Sequence, residues 1–193
     1  MQSLQIDTLT GSMFQNACKY QLEYYESHGL ATAKQYGVQA SQLFDPKTKE
    51  RKVITIRSLP DIEGVLPPHG HQFIFECKVC SGASFNFMAG HFHDRQFKHL
   101  ITRASFGATT FIALHWNARQ LKTKTEASET WAFPVDPKMQ FWIDVGVESR
   151  KMISRQDCRQ YAVPIAWSRA GQQRDLHPDL LTAITTLMQL RMV

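Results

Sequence analysis

Gly70 to Cys80 reads GHQFIFECKVC, and the division of its side chains between two faces decides what this 193-residue chain is. An apolar run of this length, rich in Phe, Ile and Val, is read as a strand, in which residues two apart share a face. Phe73, Phe75, Cys77 and Val79 then point one way and belong in a core. Ile74, Glu76 and Lys78 point the other way. A carboxylate and an ammonium thus stand side by side in an otherwise apolar strand. Burying either costs several kcal/mol unless it is paired or bound to a cation.

Upstream, Ser58 to Leu66 reads SLPDIEGVL, with Asp61 in a Pro-Asp-x-x-Gly turn fifteen positions before Glu76. If the turn brings Asp61 beside Glu76, two carboxylates at ~4.5 Å repel by on the order of 4 kcal/mol at an effective dielectric near 20. A divalent cation reverses that repulsion. Two carboxylate oxygens, a backbone carbonyl and waters are a ligand set that Mg²⁺ accepts. A lysine beside them is placed to orient a water or to stabilise charge on a phosphoryl group.

Asp61, Glu76 and Lys78 in this arrangement resemble the PD-(D/E)xK, restriction-endonuclease-like nucleases, and within them the RecU-type Holliday junction resolvases. The similarity extends to FNF at Phe85 to Phe87, to the helix FHDRQFKHL, to the Gly-led strand GATTFIAL and to the N-terminal helix GSMFQNACKYQLEYYESHGLA. It spans about residues 11–135. The resemblance implies an α/β fold with a central mixed sheet flanked by helices. It also implies a homodimeric, Mg²⁺- or Mn²⁺-dependent endodeoxyribonuclease that cuts four-way DNA junctions. By motif match, Asp61, Glu76 and the Cys77 backbone carbonyl would ligate the metal, Lys78 would assist the attacking water, and Gln96 would lie beside the site. On its own helix, Gln96 falls on or beside the apolar stripe of Phe92, Leu100, Phe97 and Ile101, where an amide needs partners. Two departures stand out. The family's N-terminal helix carries an acidic residue where this chain has Gln15, with Glu23 and Glu26 the nearest substitutes. The segment from Phe44 to Asp61 is also shorter than the family's projecting stalk.

The same strand supports a different reading. Cys77-x2-Cys80, then His93 and His99, satisfies a zinc-finger spacing and would make the chain a zinc-stabilised, non-catalytic DNA-binding module. Against it, His93 and His99 are six apart, about 240° around a helix, and Cys77 sits inside an apolar strand. A nuclease acting on duplex or flap DNA is the alternative within the enzyme class.

The remaining sequence frames these readings. A composition 43% hydrophobic and 20% charged is that of a globular protein, and a net charge of +5 permits a polyanionic partner without demanding one. The start lacks a secretory signal and no stretch is long enough to cross a membrane, so a soluble, cytoplasmic protein is expected. One nuclease domain over residues 1–193 is expected, with a core of about 11–135 and a C-terminal helical extension of about 136–193. Arg95, Lys98 and Arg57 are the favoured DNA contacts, and the basic stretch RQLKTKT from Arg119 suits the DNA backbone. TWAFPV reads as an edge strand ended by proline. DLLTAITTLMQLRM reads as a helix whose apolar stripe packs on its own sheet or on a second subunit.

Overall fold

A computed structural model describes residues 7–36, 39–45, 50–56, 60–87, 94–148, 151–169 and 176–191. Helix α1 (Gly11–Ser27) begins where the Thr10 side chain accepts from the Met13 N–H, and it buries Phe14, Cys18, Leu22 and Tyr25 at helical spacing. Five strands follow: β1 (Thr32–Gln35), β2 (Gln39–Asp45), β3 (Glu50–Ile56), β4 (Ile62–Leu66) and β5 (His71–Cys80). Next come β6 (Ser84–Asn86), α2 (Asp94–Ser105), β7 (Thr109–Trp116), β8 (Arg119–Gln120), β9 (Thr125–Glu126) and β10 (Glu129–Pro134). Beyond residue 135 lie α3 (Gln140–Glu148), β11 (Met152–Ser154), α4 (Arg155–Tyr161), β12 (Val163–Pro164), β13 (Trp167–Arg169), β14 (Leu176–Pro178) and α5 (Leu180–Arg191). The segment expected as a helical extension therefore adds strands as well as helices.

The main sheet has six strands in the order β1-β4-β5-β7-β10-β12. Its β5–β7 pair is parallel and the others are antiparallel, so the sheet is mixed. Parallel pairing needs a crossover, and α2 provides it. Both faces of β5 are buried. Phe73, Phe75 and Cys77 share a core with Phe14, Cys18 and Leu22 of α1 and with Leu180, Ile184 and Leu187 of α5. Ile74 packs on the opposite face with Leu100 of α2, Phe141 and Trp142 of α3, and Cys158 of α4. The apolar stripe of α5 is thus spent on its own sheet.

Two strand assignments differ from the sequence reading. Asp61 to Gly64 was read as part of a Pro-Asp-x-x-Gly turn, yet Ile62 to Leu66 is a strand with Ile62, Gly64 and Leu66 buried in alternation. Gly64 is what disguised it. A Cβ there would overlap the Phe73 ring and lie 2.5 Å from the Thr32 carbonyl oxygen, so the β1–β4–β5 stack closes only over glycine. The second is β10, expected at an edge because of Pro134. It has a neighbour, β12, but only at Trp131 and Ala132, clear of the proline. The hairpin β2–β3 forms a sheet of its own between β1 and Asp61 in chain order.

Candidate active site

The register of β4 on β5 ends at Ile62↔Phe75, whereas β7 stays paired with β5 through Cys80. From Glu76 onward, β5 has no strand partner on its β4 side among the described residues, and Asp61 stands where the next residue of β4 would have paired. One step beyond Ile62↔Phe75 sets Asp61 across from Glu76, on the same face. The Asp61 carboxylate takes the place of the missing strand, its Oδ2 accepting the Cys77 N–H at 3.0 Å. The Asp61 backbone carbonyl is fixed as well, by the Tyr36 N–H at 3.0 Å. In a strand the N–H and C=O of one residue point to the same edge, so the Cys77 carbonyl opens on the side that Asp61 occupies.

Glu76 is completely buried, and its Oε2 accepts from Lys78 Nζ at 3.2 Å. Burial pushes the Glu76 carboxyl well above its usual range, contact with the Asp61 carboxyl pushes it further, and the Lys78 ammonium opposes both. When protonated, Glu76 has a proton to offer Asp61. When ionised, its Oε1 has no hydrogen-bond partner among the described residues. Such an orphaned oxygen beside a second carboxylate is a standing cost that a cation would remove.

A cavity of about 630 Å³ opens on the free edge of β5. Asp61 and Lys78 line it, with Gly11 and Gln15 from α1 on one side and Ser84 and Asn86 of β6 on the other. Gln15 therefore sits at the site, while Glu23 is exposed and paired with Lys19 at 3.6 Å, and Glu26 is exposed. Neither glutamate lines the cavity, so no helix carboxylate replaces the amide among the described residues.

The other expected residues are placed as follows. Gln96 is half-buried on α2, beside the inward-facing Phe97 and Leu100, and does not line the cavity. Arg95 and Lys98 are exposed on the same helix. Arg57, Phe92 and His93 lie outside the described residues. The zinc reading is corrected by geometry, because Cys77 and Cys80 belong to core layers on opposite faces of the sheet and cannot converge on one ion. Residues three apart on a strand always diverge in this way, so the signal was present in the sequence.

Among the described residues, no group of three or more His, Cys, Asp and Glu side chains is placed to hold a metal ion. Two carboxylates and a carbonyl remain, all hard oxygen donors. That set suits Mg²⁺ or Mn²⁺, which keep several waters, and not a four-coordinate structural zinc.

No family model matches the chain, and no curated protein matches it in sequence. Among solved structures, its fold is similar to that of Hjc, a Holliday junction resolvase from Archaeoglobus fulgidus. The TM-score is 0.41 and the identity 14%, over 77% of this chain and 94% of that one. No helix among the described residues is long and apolar enough to cross a membrane.

Proposed function

We propose that the chain is a restriction-endonuclease-like nuclease that hydrolyses DNA phosphodiesters, with the four-way junction as its substrate. One observation carries the reading: Asp61, Glu76 and Lys78 meet at the point where β5 loses its neighbour, beside an open cavity. A nuclease needs a cation site and a proton-handling group within reach of one phosphate, on a rigid element. β5 is that element.

In this proposal Asp61, Glu76 and the Cys77 carbonyl hold Mg²⁺ or Mn²⁺, which supplies Lewis-acid polarisation of the phosphate and a more acidic water. Cys77 N–H fixes the Asp61 carboxylate, and Glu76 fixes Lys78. Lys78, only partly exposed, keeps its ammonium at the cavity wall, where it orients the attacking water and offsets charge developing on the phosphoryl oxygens. Attack in line leaves a 5′-phosphate and a 3′-hydroxyl, as the motif resemblance implies. Arg95 and Lys98 supply phosphate contacts from α2, with Arg57 a further candidate. Gln96 does not line the cavity, and its place as a positioning residue rests on the motif resemblance alone. Its test is Gln96→Ala, with cleavage expected to fall while the melting temperature holds.

The preference for junctions rests on the motif resemblance alone, since the β2–β3 hairpin stands in chain order where the resembled family carries its stalk but belongs to a shorter segment. Two symmetric cuts require two sites, so the proposal includes a C2 homodimer, checked by light scattering on the eluted protein.

The deciding experiment incubates wild type, Glu76→Ala and Lys78→Ala with labelled four-way, flap and linear DNA, in Mg²⁺ or in chelator. Paired nicks in the junction alone, lost in both variants and in chelator, are expected. Equal cutting of flap or duplex DNA would move the substrate to the alternative within the class. Cutting that survives both substitutions would remove this site from the chemistry.

A further inference from the structure

We propose that the β8–β9 hairpin is a wing that grips the DNA backbone beside the cavity, with Lys122 and Lys124 at its tip each meeting a phosphate. The inference rests on the nuclease reading of that cavity.

The first observation is length. β7 and β10 are antiparallel neighbours, a relation that two to five connecting residues ordinarily satisfy. Here the connection runs from Asn117 to Ser128, twelve residues. Within it, β8 and β9 pair over only two residues each, and the Leu121 N–H closes on the Lys124 carbonyl at 2.8 Å. So short a ladder does not hold itself upright in water.

The second observation is what holds it. Arg155, with a side chain 6% exposed, donates to the Asn117 carbonyl at 2.6 Å and to the Ala127 carbonyl at 2.7 Å, clamping the two legs of the hairpin at their root. The guanidinium also lies over the Trp116 ring, 5.3 Å from its centre. Glu126 joins the clamp to the strands, bonded to Arg119 at 2.6 Å and 3.6 Å from Arg155. Burying a guanidinium is costly unless its partners are well placed. A solvated charged loop would call for no such brace.

The third observation is position. The Asn117 N–H donates to the Cys80 carbonyl at 3.0 Å, and Cys80 lines the cavity. The Asn117 side chain binds Ser81 Oγ at 2.9 Å and brackets Leu9, just before α1, through bonds of 2.8 and 3.0 Å. One buried amide therefore ties the root of the wing to the end of β5 and to the segment just before α1. Glu126 and Arg119 neutralise one another at the root, and the exposed tip carries Lys122 together with Lys124, whose side chain is 65% exposed although it leans on Glu126 at 3.3 Å. Two lysines on a short rigid arm fit the phosphate backbone, which is recognised by charge and reach and not by base edges.

The test is binding of a fluorescein-labelled four-way junction in chelator, followed by anisotropy between 50 and 200 mM KCl. In Lys122→Ala/Lys124→Ala the slope of log K against log salt is expected to flatten by about 1.8, the loss of two phosphate contacts. Lys122→Arg/Lys124→Arg should restore it, and Lys19→Ala on α1 should match wild type. An unaltered slope in the alanine pair, with wild type still binding, overturns the wing and leaves the nuclease reading standing. Failure of wild type to bind any DNA overturns both.

Discussion

The two halves of β5 differ by one neighbour. From His71 to Phe75 the strand is paired on both sides, and Phe73, Ile74 and Phe75 are fully buried hydrophobes. From Glu76 to Cys80 its strand pairing among the described residues is with β7 alone, and there the carboxylate, the ammonium and the cavity appear. A strand edge that ends early leaves backbone groups to be satisfied by something else. Here that something is Asp61, so the same vacancy that removes sheet pairing delivers the second carboxylate. One half of the strand works through packing, and the other through unsatisfied charge.

Substitutions in the two halves should therefore separate stability from chemistry. Phe75→Ala, in the paired half, opens a cavity between α1 and the sheet and should cost about 3–5 kcal/mol in denaturant unfolding, with cleavage retained by whatever remains folded. In the open half, Lys78→Ala should lower junction cleavage by about 10²–10³-fold at saturating Mg²⁺ while the unfolding midpoint shifts little. If Lys78→Ala proved as destabilising as Phe75→Ala and left the rate unchanged, the contrast would collapse.

Gln15→Glu sharpens the picture from the α1 side of the cavity. A third carboxylate there should tighten Mn²⁺ binding, read by calorimetry, by about tenfold, since one added charge near a divalent ion in a partly solvated site contributes on the order of 1–2 kcal/mol. Glu23→Gln, away from the cavity, should change nothing.

The smallest effect concerns pH. Glu76 is held above its ordinary value in the fold. Its contribution to stability is therefore fullest below about pH 4.3, where the unfolded chain is also protonated, and declines as pH rises until the buried carboxyl itself ionises. Melting temperatures in chelator should show this decline between pH 4 and 8 for wild type relative to Glu76→Gln. Adding Mg²⁺ at pH 7.5 should raise the wild-type value and leave the variant unmoved.

Much of this site was legible because its logic is local. The strand periodicity divides Glu76 and Lys78 from Phe75 and Cys77, and the Pro-Asp turn places an acid before a strand. The strand β7 was equally clear from its unbroken apolar, β-branched run, although its parallel pairing with β5 was not. What escaped was tertiary. Gly64, with Pro67 and Pro68 beyond it, gives β4 the composition of a turn, and only the Phe73 ring filling the space above it explains the glycine. The brief β12, two residues long, has too little sequence to announce itself, so β10 read as an edge. Between Asp136 and the apolar stripe of α5 the sequence carries no repeated apolar spacing comparable to that of α1, and the short elements there are defined by what they pack against. Gln96 is half-buried on α2, but a helical wheel does not say how far such a position lies from the cavity.

Gly64 also sets a limit on how this protein can vary. It is three positions from Asp61 and shares β4's register with the sheet. A single methyl group there would prise β1, β4 and Phe73 apart and carry the turn with it. The chain could then keep every chemical group of the site and still lose the alignment among them, a lesion visible in no inventory of catalytic side chains.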